Sequence, residues 1–341
     1  MFKDHPSFPF FLVLWLMISF CRYPALSQKK YVFEQPEMGS PFIISIHGDD
    51  SSAVAAAANA AFRKIDTLNT LFSDYIGSSE LSRLSATAGS GKYISVSPCL
   101  MDILQRSLQA SRYSNGSFDI TVGPVVKIWR KARKEKIFPE RDMLQKAMQA
   151  VGYKYIHLDS LHRAAWLERP GMQLDLGGIA KGYAAQAALQ VIREAGFPAA
   201  MVDAGGDLMT GAAPPGRTGW RIGINLPEEQ EELMPKLLLL QNRAVATSGD
   251  VYQYLEFNGR RYSHIVDPKT GLGVTLQRNV TVIARDGATA DWLATACSIL
   301  PLHKAFRLIK KFPDAGLLIT ERKKETLFLK MSKGFKNYLE K

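Results

Sequence analysis

The chain has 341 residues, of which 46% are hydrophobic and 10% aromatic, enough for a buried core and too much for a disordered chain. Its formal net charge is +11, with 43 Lys and Arg against 32 Asp and Glu. No nucleic-acid-binding motif accompanies that excess, which argues against DNA or RNA as a partner.

Lys3 precedes an apolar run from Phe8 to Phe20, and Ala25 and Ser27 supply small residues before the polar Gln28-Lys29-Lys30. This reads as an export signal over residues 1–27, cleaved after Ser27. The run is shorter than the ~20 residues of a spanning helix, so an uncleaved anchor is the lesser alternative. Cys21 follows Phe20 rather than a small residue, which argues against lipidation. Cys99 and Cys297 lie far apart and in no metal-type spacing; they read as buried small residues, with a disulfide as the alternative that export allows.

Tyr31 to Phe33 and Pro41 to Ile46 read as strands joined by Met38-Gly39-Ser40. Ser51-Ser52 is the expected cap of a helix over 53–71, whose apolar residues fall at Ala57, Ala61, Ile65 and Leu68. A polar turn with Tyr75 and a short capped helix follow, and a tyrosine there is available to stack on a planar ligand. Ser97-Pro98 opens another helix, and the stretch from Tyr113 to Pro124 reads as a loop presenting Phe118, Asp119 and Thr121. The basic run Lys127 to Lys136 looks like a solvated helix face. A helix over 141–150 and a hairpin of Tyr155 to Leu158 with Ala164 to Leu167 complete the first half.

Leu174 to Ala184, reading Leu-Asp-Leu-Gly-Gly-Ile-Ala-Lys-Gly-Tyr-Ala, runs from an extended lead-in through a carboxylate and two glycines into a helix with a lysine in its first turn. Backbone can approach a ligand closely there, and a helix start favours an anion. An ordinary αβ corner has the same pattern. Ala200 to Leu208 repeats the order of apolar strand, acid and paired glycines, its turn expected close to the first. Residues 227–235 read as a glutamate-rich surface insertion, and Asn258-Gly259 as a type I′ hairpin turn. In the helix after the strand Val280 to Ala284, Asp291 and Thr295 are four apart and share a face. Taken alone they are a helix cap and a hydroxyl bonded to its own backbone; together they offer the oxygen ligands that Mg²⁺ prefers. His264, followed by Asp267-Pro268, is by default a strand-end histidine and otherwise an oriented base. Serine-hydrolase, P-loop and zinc-protease motifs are missing from the sequence. From Lys304 onward the tail is strongly basic, by default a solvated surface and otherwise a contact for anionic lipid or a nucleotide.

In order and wording these segments resemble the ApbE family, the FAD:protein FMN transferases. The resemblance rests on Met38-Gly39-Ser40, Phe72-Ser73-Asp74-Tyr75, Phe118 to Pro124, the Asp175 to Ala184 stretch, Ala246 to Asp250, Ser263 to Gly271, and Ala290-Asp291 with Ala294-Thr295-Ala296, about three quarters of the chain. It departs at Val251, where an aromatic or basic residue is common, and at Asp203-Ala204.

The resemblance implies an α+β fold: a single ApbE-like (T-fold-like) domain of mixed, largely antiparallel sheets flanked by helices, over residues 28–341 with the basic tail. It also implies contacts to FAD by Met38, Tyr75, Ser117, Phe118, Asp119, Asp175, Lys181 and Ile265. A Mg²⁺ site would form from the Gly178 carbonyl, Asp291 and Thr295, with His264 as the base. The expected reaction moves FMN from FAD to a threonine hydroxyl and releases AMP. Expected acceptors are exported or membrane-bound redox subunits, such as those of Na⁺-pumping quinone reductases or related electron-transfer complexes, which places the protein in the bacterial periplasm or on the outer face of the inner membrane. Two competitors use the same residues: an FAD pyrophosphatase giving FMN and AMP, and an exported FAD carrier without chemistry.

Overall fold

The structure, a computed structural model, describes residues 28–224, 237–249, 253–323 and 326–340. The expected signal, the insertion 227–235 and the departure at Val251 lie outside the described residues.

β1 (Lys29–Glu37) and β2 (Ser40–Gly48) form a hairpin whose turn residues Met38 and Gly39 have φ of 48° and 75°. Positive φ at both positions matches the twist of the flanking strands. α1 (Ser51–Phe72) is capped by Asp50 rather than by the expected serines, its carboxylate accepting from the Ser52 and Ala53 amides. α2 (Glu80–Ala86), β3 (Ile94–Ser95) and α3 (Pro98–Tyr113) follow, the helices capped by Ser79 and Ser97. α4 (Gly123–Glu135) starts inside the Gly-Pro pair that reads as loop, because a proline in the first turn forfeits no helical hydrogen bond. Next come α5 (Arg141–Met148) and the expected hairpin of β4 (Ile156–Asp159) and β5 (Ala164–Leu167).

After α6 (Ala180–Glu194), β6 (Ala200–Ala204) turns through Gly205-Gly206 into β7 (Leu208–Thr210). β8 (Trp220–Ile222) pairs with β9 (Leu238–Leu240), and β10 (Ala244–Gly249) precedes the Asn258-Gly259 hairpin of β11 (Tyr254–Phe257) and β12 (Arg260–Ser263). β13 (Arg278–Ala284), α7 (Gly287–Ile299), α8 (Leu302–Ile309), β14 (Gly316–Lys323), β15 (Thr326–Met331) and α9 (Lys333–Lys336) close the chain.

Eight strands form one sheet in the order β1-β2-β6-β7-β10-β13-β14-β15, with every neighbouring pair antiparallel. The architecture is thus α+β and largely antiparallel, as the resemblance implies. Alternation along the strands sends Ala244, Ala246, Val280, Val282, Leu317 and Ile319 to the face covered by α1, α6 and α7. Val245, Ile283 and Leu318 point the other way, onto β8, β9 and Phe335. The basic tail is therefore folded against the sheet through Phe335, which is fully buried. The C-terminal carbonyls of α7 are held by Arg278, which donates to the Leu300 carbonyl at 2.7 Å and pairs with Glu321 in the interior. Both Cys99 and Cys297 are free thiols, which removes the disulfide alternative.

Candidate active site

The site begins where α6 and α7 start side by side. A Cβ on Gly182 would stand 2.1 Å from the Gly287 carbonyl oxygen, and one on Gly287 would stand 2.0 Å from that of Gly182. Only paired glycines allow this approach. It brings Asp291, one turn into α7, to the start of α6, where its Oδ2 accepts the Gly182 amide at 3.1 Å. The helix start that the sequence offers to a ligand anion is thus partly taken by a carboxylate of the chain itself. Asp286, not Asp291, caps α7.

Thr295 lies one turn beyond Asp291, and a Cβ on Gly178 would stand 2.8 Å from its Oγ1. The hydroxyl forms no hydrogen bond within its own helix; it is Ser298 Oγ that donates to the Thr295 carbonyl. Asp291 and Thr295 line an open cavity of about 340 Å³ together with Gly178. Their hard oxygen donors fit a small divalent cation.

Before the turn, Asp175 Oδ1 accepts the Gly177 amide at 2.8 Å, closing the corner that the sequence shows. Lys181 Nζ donates to Ser40 Oγ at 2.5 Å, tying α6 to the β1–β2 hairpin. Met38 packs against the core and is not among the residues lining the cavity. The second glycine turn does lie beside the first, since a Cβ on Gly205 would be 3.8 Å from Lys181 Nζ. There, Asp203 Oδ1 accepts the Gly206 amide at 2.7 Å, and Asp207, which the sequence reading passes over, faces the cavity. Burial pushes the Asp207 carboxyl up to about 7 against the opposing pull of Lys181, and burial with the nearby Asp207 pushes Asp291 well above the usual carboxylate range. Asp207 disfavours charge on Asp291 while Lys181 favours it on both, a set of groups that suits an added cation.

Long side chains build the facing wall. Arg130 bridges Asp74 and Asp175, reaching the latter at 2.8 Å, and lies 4.2 Å from the centroid of the Tyr75 ring. Tyr75 is nonetheless 77% exposed, leaving ring surface for a planar group. The run that reads as a solvated helix face therefore sends Arg130 and Arg133 into the cavity. That departure is invisible locally, because the acids that hold Arg130 lie 56 and 45 residues away in sequence.

His264 follows β12. Its Nδ1 lies 3.2 Å from the Gln253 carbonyl, so Nδ1 carries the proton and Nε2 presents a lone pair. The orienting group is this carbonyl and not Asp267, whose Oδ1 accepts from the Lys269 amide. Burial, then Arg133 and Lys181, lower the imidazole to about 4, leaving it neutral at neutral pH. Ile265 lines the cavity beside it, as do Ser117, Phe118 and Asp119. These last three lie in the loop between α3 and α4, as the sequence implies, and are buried there. Asp119 is largely engaged by the protein: Oδ1 takes the Thr121 amide and hydroxyl, and Oδ2 takes the Tyr153 amide, which leaves one acceptor site on Oδ2. Thr247 and Ser248 complete the lining from the Ala246 to Asp250 motif, which carries no assigned role in the sequence reading.

The family model described as the ApbE family matches residues 38–319. An FAD:protein FMN transferase of Treponema pallidum (strain Nichols) is 31% identical over 286 residues, covering 79% of this chain and 79% of the relative. The solved ApbE protein of Thermotoga maritima superposes with a TM-score of 0.80 at 28% identity, covering 91% of this chain and 99% of that one. The flavin transferase ApbE of Vibrio cholerae, at 24% identity and the same coverage, shares the fold with a TM-score of 0.81. With the family's pattern running through most of its length, the chain belongs to the ApbE family.

Proposed function

We propose that this protein is an FAD:protein FMN transferase that uses Mg²⁺ to move FMN from FAD to a threonine hydroxyl and releases AMP. The transferase activity is that of its curated relatives, including the one 31% identical. The observation that carries the finer reading is the His264 imidazole, neutral and with Nε2 unpartnered among the described residues, in one cavity with Lys181, Asp291 and Thr295.

The threonine oxygen attacks the phosphorus of the FMN half, the bond from that phosphorus to the bridging oxygen breaks, and AMP departs with that oxygen. The threonine proton passes to His264 Nε2. Lys181, fixed by Ser40, supplies positive charge beside the phosphates, and Tyr75 offers a ring face to the flavin or the adenine. Asp291, Thr295 and the Gly178 carbonyl are the groups to hold Mg²⁺, whose chemistry there is to neutralise charge on the pyrophosphate. Residues 1–27 act in this reading as an export signal for the domain 28–341. The acceptors are then redox proteins outside or in the inner membrane, of the kind found in Na⁺-pumping quinone reductases and related electron-transfer complexes.

Incubating the protein with FAD, Mg²⁺ and a candidate acceptor, then mapping any flavin adduct by mass spectrometry, tests this. FMN on an acceptor threonine is the expected result. Free FMN without labelling would indicate a pyrophosphatase, and FAD bound but unchanged would indicate a carrier.

A further inference from the structure

Arg130 and Arg133 stand one turn apart on α4 and line the same cavity, yet their surroundings differ. Arg130 is fully engaged by Asp74, Asp175 and the Tyr75 ring. Arg133 pairs with no carboxylate among the described residues, and its Nη1 is buried without a hydrogen-bond partner. The charged group nearest in effect is another cation, Arg130. Across the cavity, Arg133 and Lys181 both act on His264. A half-buried guanidinium with a buried unspent donor and no carboxylate partner among the described residues is poised for an anion, and its planar fork matches the oxygens of a phosphate better than an ammonium does.

We propose that Arg133 is a substrate-binding residue that grips the FAD pyrophosphate on the His264 side of the cavity, facing Lys181 and the Asp291 and Thr295 pair. This rests on the transferase reading, because that reading puts the scissile phosphorus beside His264. Arg130 is the brace for the wall and Arg133 the part that meets ligand.

The test is a titration of the full chain in Mg²⁺ with FAD and with riboflavin, which has the ring but no phosphate, followed by flavin fluorescence. Arg133→Gln is expected to weaken FAD at least about tenfold, equivalent to about 1.4 kcal/mol, while leaving riboflavin unchanged. Arg133→Lys is expected to recover part of the loss, and circular dichroism should match wild type in both variants. Unchanged FAD affinity in Arg133→Gln would overturn the proposal. Equal weakening of FAD and riboflavin would also overturn it, by assigning Arg133 to the ring or to folding. Failure of the wild type to bind FAD at all would instead bring down the transferase reading and this proposal with it.

Discussion

The two walls of the cavity are built by opposite means. The wall made by the starts of α6 and α7 is backbone against backbone, with Gly182 and Gly287 in contact and Asp291 bonded to the Gly182 amide. The wall made by α4, the Tyr75 turn and the segment after β12 consists of long side chains: Arg130 held by two ion pairs, His264 by one carbonyl, and Arg133 with no carboxylate partner among the described residues. A wall of the first kind fixes atoms to within a fraction of an ångström and tolerates no added volume. The second kind keeps rotamer freedom and can close on a substrate.

The largest effect should come from Asp291→Ala, which takes the carboxylate out of the rigid wall. Transfer should fall by about 10³-fold or more, on the order of 4 kcal/mol of barrier, while the far-ultraviolet dichroism stays that of the wild type. Gly182→Val attacks the same wall through packing. Its Cβ would meet the Gly287 carbonyl oxygen, and thermal melting should register a loss of about 3 kcal/mol, on the order of 5 °C for a domain of this length. Thr247, which lines the cavity without joining the helix contact, should tolerate Thr247→Val far better. Equal damage from both would erase the distinction between packed and merely lining positions.

On the facing wall, His264→Gln should cost about 10²-fold in transfer rate, about 2.7 kcal/mol, with FAD binding retained. The pH dependence follows from the lowered imidazole. Unfolded, the ring takes a proton near its ordinary value of 6.5, but folded only near 4. The unfolded state therefore binds more protons between these values, and stability falls as pH drops from about 6.5 toward 4. Melting curves of His264→Gln should lack that component of the slope. The base stays active below pH 6 and is lost as pH approaches 4.

The smallest effect lies outside both walls. Burial and Asp66 raise Glu37 to about 7, above its ordinary value of 4.5. Its stabilising protonated form is present below 4.5 and lost as pH rises through 7. Glu37→Gln should raise the melting temperature at pH 8 by a few degrees, for about 1 kcal/mol, and change little at pH 5. A gain of equal size at both pH values would contradict the charge argument.

The same contrast decides what was legible in the sequence. The groups of the rigid wall are written locally, as two glycines after a carboxylate and an acid and a threonine four residues apart, whereas the Gly182–Gly287 contact that joins them comes from the fold. The strands and hairpins are likewise legible, down to the Asn258-Gly259 turn, because side-chain alternation and turn chemistry act over a few residues. Arg130 was not, since its role depends on Asp74 and Asp175, which the fold alone brings near. Asp207 was missed because Asp203 is the more conspicuous acid, although it closes the turn while Asp207 faces the cavity. The Gln253 carbonyl behind His264 has no side-chain signature at all.

The central claim is that the two walls cooperate in one transfer, the rigid one holding the phosphates and the adaptable one removing the proton. It is tested most directly by intact-mass measurement of an acceptor after single-turnover incubation with FAD and Mg²⁺, using wild type and His264→Gln side by side. The account predicts an FMN-sized increase on one threonine with wild type, and none on that timescale with His264→Gln although FAD still binds. Labelling by His264→Gln at the wild-type rate would contradict it.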